Sequence, residues 1–144
     1  MRILVLAFLI TALASAQETG TAVYYADHFH GKPVANGEKY DKNEYTAAHN
    51  SLPFGTTLRV TNVSNGKSVN VRINDRMGKN SKRLVDLSRA AAEEIGLVQA
   101  GRATVRIAVL KRGDGKRSSD SARRKVRTRK VSSASDKPTP FGKK

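Results

Sequence analysis

Residues 46–76 read TAAHNSLPFGTTLRVTNVSNGKSVNVRINDR. Around Asn65-Gly66 the apolar positions recur every second residue, Leu58 and Val60 on one arm and Val69, Val71 and Ile73 on the other, with Asn70 and Arg72 between the latter three. An Asn-Gly pair between alternating runs is a strong hairpin signal, because both residues tolerate the backbone angles of a tight turn. β-branched residues on one face and polar ones on the other imply a sheet wetted on one side. The pattern predicts strands over 57–63 and 67–74, with His49 before the hairpin and Asp75 at its far end. A carboxyl held near a histidine on a rigid sheet is the minimum equipment for acid/base work on a sugar or acyl bond.

Working outward, residues 20–25 are rich in Thr, Val and Tyr and predict an opening strand. The stretch 26–45 contains Gly31, Pro33, Asn36 and Gly37, too many breakers for a regular element, and predicts a long loop of the kind that carries binding groups. After Gly78 comes a short extended piece over 84–87, then Ser88 as a helix cap, an alanine-rich run to Ile95 and Gly96 as a stop. Residues 102–110 predict a closing strand with Val105, Ile107 and Val109 on one side. The hydrophobic pattern stops at Leu110.

The two ends are different material. Residues 1–16 pair Arg2 with an apolar run and end in Ala14-Ser15-Ala16, the pattern of a cleaved export signal too short to span a bilayer. The expectation is a soluble protein starting near Gln17 and working in the periplasm or cell envelope. The chain has no cysteine, which excludes a disulfide framework, a thiol nucleophile and a lipid-bearing cysteine. Residues 17–110 suffice for one domain with a real core. Residues 111–144 hold thirteen Lys and Arg against three Asp, ten of the fifteen net positive charges of the chain, with almost nothing apolar to bury. They are expected to form a disordered basic tail, a solvated appendage or one that binds anionic wall polymers or lipid headgroups. Any such polycation binds phosphate, but the export signal and a single tail aromatic, Phe141, argue against a specific nucleic-acid partner.

Taken singly, the polar residues leave their roles open. Asp75 within Asn74-Asp75-Arg76 suits an Asx turn with a surface ion pair as well as a displayed catalytic carboxyl. His49 among small residues suits a buried, satisfied imidazole as well as a catalytic one, and Glu38 in its loop suits plain solvation. Asp27, His28 and His30 form a short run without a third ligand at useful spacing, so no metal site is expected. The absence of phosphate-binding glycine motifs and of a nucleophile elbow sets aside nucleotide and serine-hydrolase chemistry and leaves no cofactor expected.

In combination the motifs say more. Phe29-His30-Gly31, Ala35-Asn36-Gly37-Glu38, TAAHNSLPFGTTLRVTN, Asn74-Asp75-Arg76 and Val85-Asp86-Leu87-Ser88 with its alanine helix resemble, in this order, the rare lipoprotein A family. The resemblance covers about 21–110. It implies a mainly β protein, a six-stranded double-psi β-barrel with one short helix, and lytic transglycosylase activity on peptidoglycan glycan strands. It further implies Asp75 as catalytic aspartate, with His49 and Glu38 as the important histidine and glutamate. Tyr25, Asn36, Asn74 and Arg76, beside or within the same motifs, are expected to contact substrate. The chain departs from the family where Met77 and Gly78 replace the Gly-Pro that commonly follows the aspartate motif.

The implied reaction cleaves the β-1,4 bond between N-acetylmuramic acid and N-acetylglucosamine by attack of the muramyl 6-hydroxyl on its own anomeric carbon, leaving a 1,6-anhydro end. One carboxyl can serve twice, because intramolecular attack supplies a high effective concentration and no water has to be placed. Hydrolytic glycosidases usually need a second carboxylate. Double-psi barrels also include expansin-like proteins, so a wall-binding module that does not cleave is the alternative, and a monomer is expected in either case.

Overall fold

The computed structural model describes residues 16–118, so the expected export signal and the part of the expected basic tail beyond Ser118 lie outside the described residues. Six strands occur: β1 (Gln17–Tyr24), β2 (Thr46–Ala48), β3 (Thr57–Asn62), β4 (Ser68–Asp75), β5 (Val85–Leu87) and β6 (Ala103–Lys111). Among the described residues, a 3-10 turn (Asp27–Phe29) and one helix, α1 (Arg89–Glu94), complete the elements. The strands close into a barrel in the order β1-β5-β2-β4-β3-β6. Two pairs are parallel, β1 with β5 and β2 with β4, and the other ladders are antiparallel. This is the double-psi barrel that the motif resemblance implies.

Alternation decides which side chains fill the interior. Leu58, Val60, Val71, Ile73, Val85, Leu87 and Val105 are all at or below 1% exposure, and Ile95 and Leu97 close the core from the helix side. Burying each large aliphatic chain stabilises the fold by roughly 1.5–3 kcal/mol before ordering costs. Val109 departs from the expected inward set and is 37% exposed. β1 begins opposite Ala108, so beyond that point β6 has a strand neighbour on one side only.

Ser88 caps α1 by accepting from the Ala91 N–H, and its hydroxyl also donates to the Glu44 carbonyl at 2.6 Å, so one side chain starts the helix and pins the long loop. At the other helix end, the Asn62 and Asn65 amides both donate to the Ile95 carbonyl (2.9 and 3.0 Å), docking the hairpin tip on α1. Gly66 sits in that tip at φ +73°, a conformation that side chains disfavour.

β2 is the strand that residue pattern alone does not reveal. Thr46, Ala47 and Ala48 are all buried and lack alternation, and the barrel needs them because β2 joins β5 to β4. The ordered backbone also runs past Leu110: the Gly113 N–H donates to Thr56 Oγ1, the Gly115 N–H to the Phe54 carbonyl and the Ser118 N–H to the Asn36 carbonyl. The apolar pattern ends at Leu110, whereas this continuation is held by backbone donors, which hydropathy does not report.

Candidate active site

A one-residue irregularity sets the position of Asp75. Ala47 pairs with Ile73, but Ala48 pairs with Asp75, so Asn74 is an extra residue in β4. Such a bulge bends a strand and re-aims the next side chain. Ile73 points into the core, and in an unbroken ladder Asp75, two residues on, would point there too. The bulge turns it to the outer face, where paired positions form a row from Val23 through Asp86 and Ala48 to Asp75.

The Asp75 carboxylate is held at both oxygens. Oδ2 accepts from the Tyr25 hydroxyl at 2.5 Å, and Oδ1 accepts from the Ala35 and Arg76 N–H groups, each at 2.8 Å. Burial, then the hydrogen bond and negative charge of Asp75, push the Tyr25 phenol far above its ordinary range. Tyr25 therefore keeps its proton and acts as a fixed donor. It also packs against Tyr40 (ring centroids 4.6 Å apart) and Phe29 (5.9 Å), which locks its direction.

Glu38 lies one layer away. Its carboxylate takes a two-pronged hydrogen bond from Arg72 (2.9 and 3.0 Å) and a third from the Asn74 amide at 3.3 Å. Burial would raise its pKa, but Arg72 and Asn74 outweigh burial and the net direction is down, so Glu38 stays ionised. Asn36 receives the Glu38 N–H on its side-chain oxygen, and its own N–H donates to the Asn74 carbonyl. Asn36 and Asn74 are only 3% and 2% exposed, so their polar atoms serve the protein scaffold.

His49 is 6% exposed, and its Nδ1 accepts from the N–H groups of Ser51 and Leu52, both at 3.1 Å. Burial lowers its pKa, with Glu18 opposing and Arg76 adding to the fall. The imidazole is thus neutral with its proton on Nε2. It reaches Asp75 through the backbone, His49 N–H donating to the Asp75 carbonyl at 3.2 Å, and among the described residues no hydrogen bond joins the imidazole to the carboxylate. A cleft of about 330 Å³ lies against His49, lined also by Glu18, Asn50, Lys82 and Arg83.

Arg76 stacks over the Phe54 ring at 4.2 Å and donates to the His49 carbonyl at 3.2 Å, so its guanidinium braces the loops on both sides. Asp86, on the same outer row as Asp75, is neutralised by a two-pronged contact with Arg83 (2.7 and 2.9 Å). His30 uses Nδ1 to accept the Lys42 N–H, and among the described residues no three His, Asp or Glu side chains converge as metal ligands.

The structure therefore brings Tyr25, Asp75 and Arg76 together, with Glu38, Asn36 and Asn74 as a supporting layer and His49 behind the strand end. Sequence reasoning missed Arg72, the partner of Glu38 34 positions away, and the Arg83–Asp86 pair. The first had one available signal: Arg72 shares the polar face of β4 with Asn70, in a strand whose other face is apolar.

Residues 17–107 match the family model described as lytic transglycolase. The chain is similar to the endolytic peptidoglycan transglycosylase RlpA of Neisseria meningitidis (47% identity over 95 residues, covering 66% of this chain and 40% of that protein). It is similar also to the protein of the same name from Vibrio cholerae (52% over 93 residues, 65% of this chain and 35% of that one). The chain thus spans well under half the length of these curated relatives. Among solved structures, an expansin of Clavibacter michiganensis shares the fold (TM-score 0.54, 23% identity, 69% of this chain and 53% of that one).

Proposed function

The chain belongs to the lytic transglycolase family, and on that premise we propose that it is an endolytic peptidoglycan lytic transglycosylase with Asp75 as its acid/base. One observation carries the assignment: the bulge at Asn74 turns a carboxyl to the outer face and three donors fix it there. In the first half of the reaction Asp75, entering in its protonated form, gives that proton to the glycosidic oxygen as the C1–O4 bond breaks, and the donors from Tyr25, Ala35 and Arg76 hold the carboxylate that results. In the second it takes the proton of the muramyl 6-hydroxyl as O6 bonds to C1. The acid is regenerated and no water is consumed.

Glu38 is committed to Arg72 and Asp86 to Arg83, whereas among the described residues Asp75 forms no ion pair with a cationic side chain and can face positive charge at the anomeric carbon. Glu38, Asn36 and Asn74 then act as positioning residues, Tyr25 and Arg76 fix the carboxyl and its loop, and His49 holds the turn beside it. The Nε2–H of His49 remains a donor for a sugar oxygen.

The protein is further proposed to be exported and to work as a monomer in the periplasm or envelope, its basic tail held by anionic wall polymers or lipid headgroups. The experiment is digestion of purified sacculi with product analysis by mass spectrometry. The parent should release 1,6-anhydro-muropeptides and Asp75→Asn should release none. Sacculus binding by the parent without any anhydro product would instead support a non-cleaving wall-binding module.

A further inference from the structure

The segment after the last strand crosses between the two loops that flank Asp75. Gly113 donates its N–H to Thr56 Oγ1 at 3.0 Å, and Gly115 donates to the Phe54 carbonyl at 3.1 Å. Three residues on, the Ser118 N–H donates to the Asn36 carbonyl at 2.8 Å. Phe54 is the ring beneath Arg76, whose N–H binds Asp75 Oδ1. Asn36 follows Ala35, whose N–H binds the same oxygen. The segment thus touches the support of each backbone donor to Asp75 Oδ1.

The contact is close as well as hydrogen-bonded. A Cβ at Gly113 would collide with the backbone of Phe54, Gly55 and Thr56, so the strand continuation can lie this near the loop only with glycine there. Gly115 adopts φ +74°, which turns the chain toward Asn36 at little steric cost. The family match ends at residue 107, before this segment begins.

We infer that residues 113–118 are a strap that fixes the 34–38 and 53–56 loops relative to each other and so positions the two backbone donors on Asp75. The inference rests on the proposed role of Asp75 for its catalytic readout only. Without the strap, the Ala35 loop keeps its bonds to Glu38 and Asn74 but loses its tie to the opposite loop, and the Ala35 N–H drifts from Oδ1.

The test uses the full chain and three variants. Ser118→Pro removes the donor to Asn36, Ser118→Ala keeps it, and Gly113→Val forces the strap off the loop. Amide hydrogen exchange at Ala35 is followed by NMR, with kcat and KM on sacculi alongside. Ser118→Pro should speed exchange at Ala35 about five- to tenfold, the worth of one backbone hydrogen bond, with Ser118→Ala at the parent rate. Gly113→Val should exceed Ser118→Pro. Where turnover is measurable, kcat should fall by a similar factor with KM unchanged. Parent-like exchange at Ala35 in Ser118→Pro overturns the inference whether or not the protein turns over, and Ser118→Pro decides the matter even if Gly113→Val fails to fold. A parent that yields no anhydro products would instead sink the catalytic assignment and leave the exchange result standing.

Discussion

The barrel contains two parallel strand pairs, and they differ by one residue. β1 and β5 run in unbroken register from Ala22–Val85 to Tyr24–Leu87, whereas β2 and β4 slip between Ala47 and Ala48. At the end of the regular pair, Ser88 is fully buried and its hydroxyl is consumed by the helix cap and the Glu44 carbonyl. At the end of the slipped pair, Asp75 faces outward and is held by groups that leave it chemically available. Two similar frames thus present their ends differently, and an added residue, more than a different topology, separates the buried cap from the outward carboxyl proposed for catalysis.

The strongest way to break the comparison is to insert one alanine between Ala47 and Ala48, opposite Asn74. With β2 and β4 made regular, Asp75, two residues beyond Ile73, is driven toward the core, and an uncompensated buried charge costs about 3–5 kcal/mol. The insertion should leave a barely folded protein in urea titration and no sacculus products. A native-like urea midpoint would show that the bulge does not aim Asp75.

Next comes a matched pair of core truncations, Ile73→Ala beside the bulge and Val85→Ala in the regular pair, both at 0% exposure. Ile73→Ala should cost about 2–5 kcal/mol and Val85→Ala roughly 2, both read from denaturant midpoints. At equal folded fraction only Ile73→Ala should slow turnover, because it alone underlies Asp75. Equal turnover in the two variants would argue against the asymmetry.

Tyr25→Phe tests the contact that crosses from the end of β1 to the end of β4. Loss of a hydrogen bond to a charged group predicts a fall in kcat of about ten- to hundredfold with little change in thermal stability. An unchanged kcat would reduce Tyr25 to packing against Tyr40.

The smallest effect is on stability against pH. The His49 pKa is lowered from 6.5 on folding, so the unfolded chain binds its proton first and stability should begin to fall as pH drops below about 6.5. The Glu38 pKa is lowered from 4.5, so its contribution holds above that value and is lost as pH falls further. His49→Gln should flatten the upper part of this decline in thermal melts, and Glu38→Gln the lower part.

How much of this was legible in the sequence depends on how local each feature is. The β3–β4 hairpin announced itself because alternation and turn chemistry are nearest-neighbour properties, and the cap at Ser88 is local in the same way. β2 carried no such signal: three small residues have no period, and their strand character comes from neighbours in β4 and β5. The motifs placed Asp75, Glu38 and His49 in one candidate site, but their division of labour was hidden. Arg72 neutralises Glu38 from strand β4, and the Nδ1 of His49 is spent on the turn at Ser51 and Leu52. The bulge was invisible for a further reason, since register belongs to a pair of strands and not to either one. Asn36 and Asn74 were expected at the substrate and are instead enclosed, because buried polar side chains must satisfy backbone groups first.

Because Ser118 is fastened to Asn36, the end of the strap is anchored beside the Ala35 loop that holds Asp75. The nine Lys and Arg that follow in the sequence are covalently joined at that spot. On the proposed function, a dye or affinity handle joined after Ser118 should report on glycan engagement, while one attached at the hairpin tip beside α1 should not.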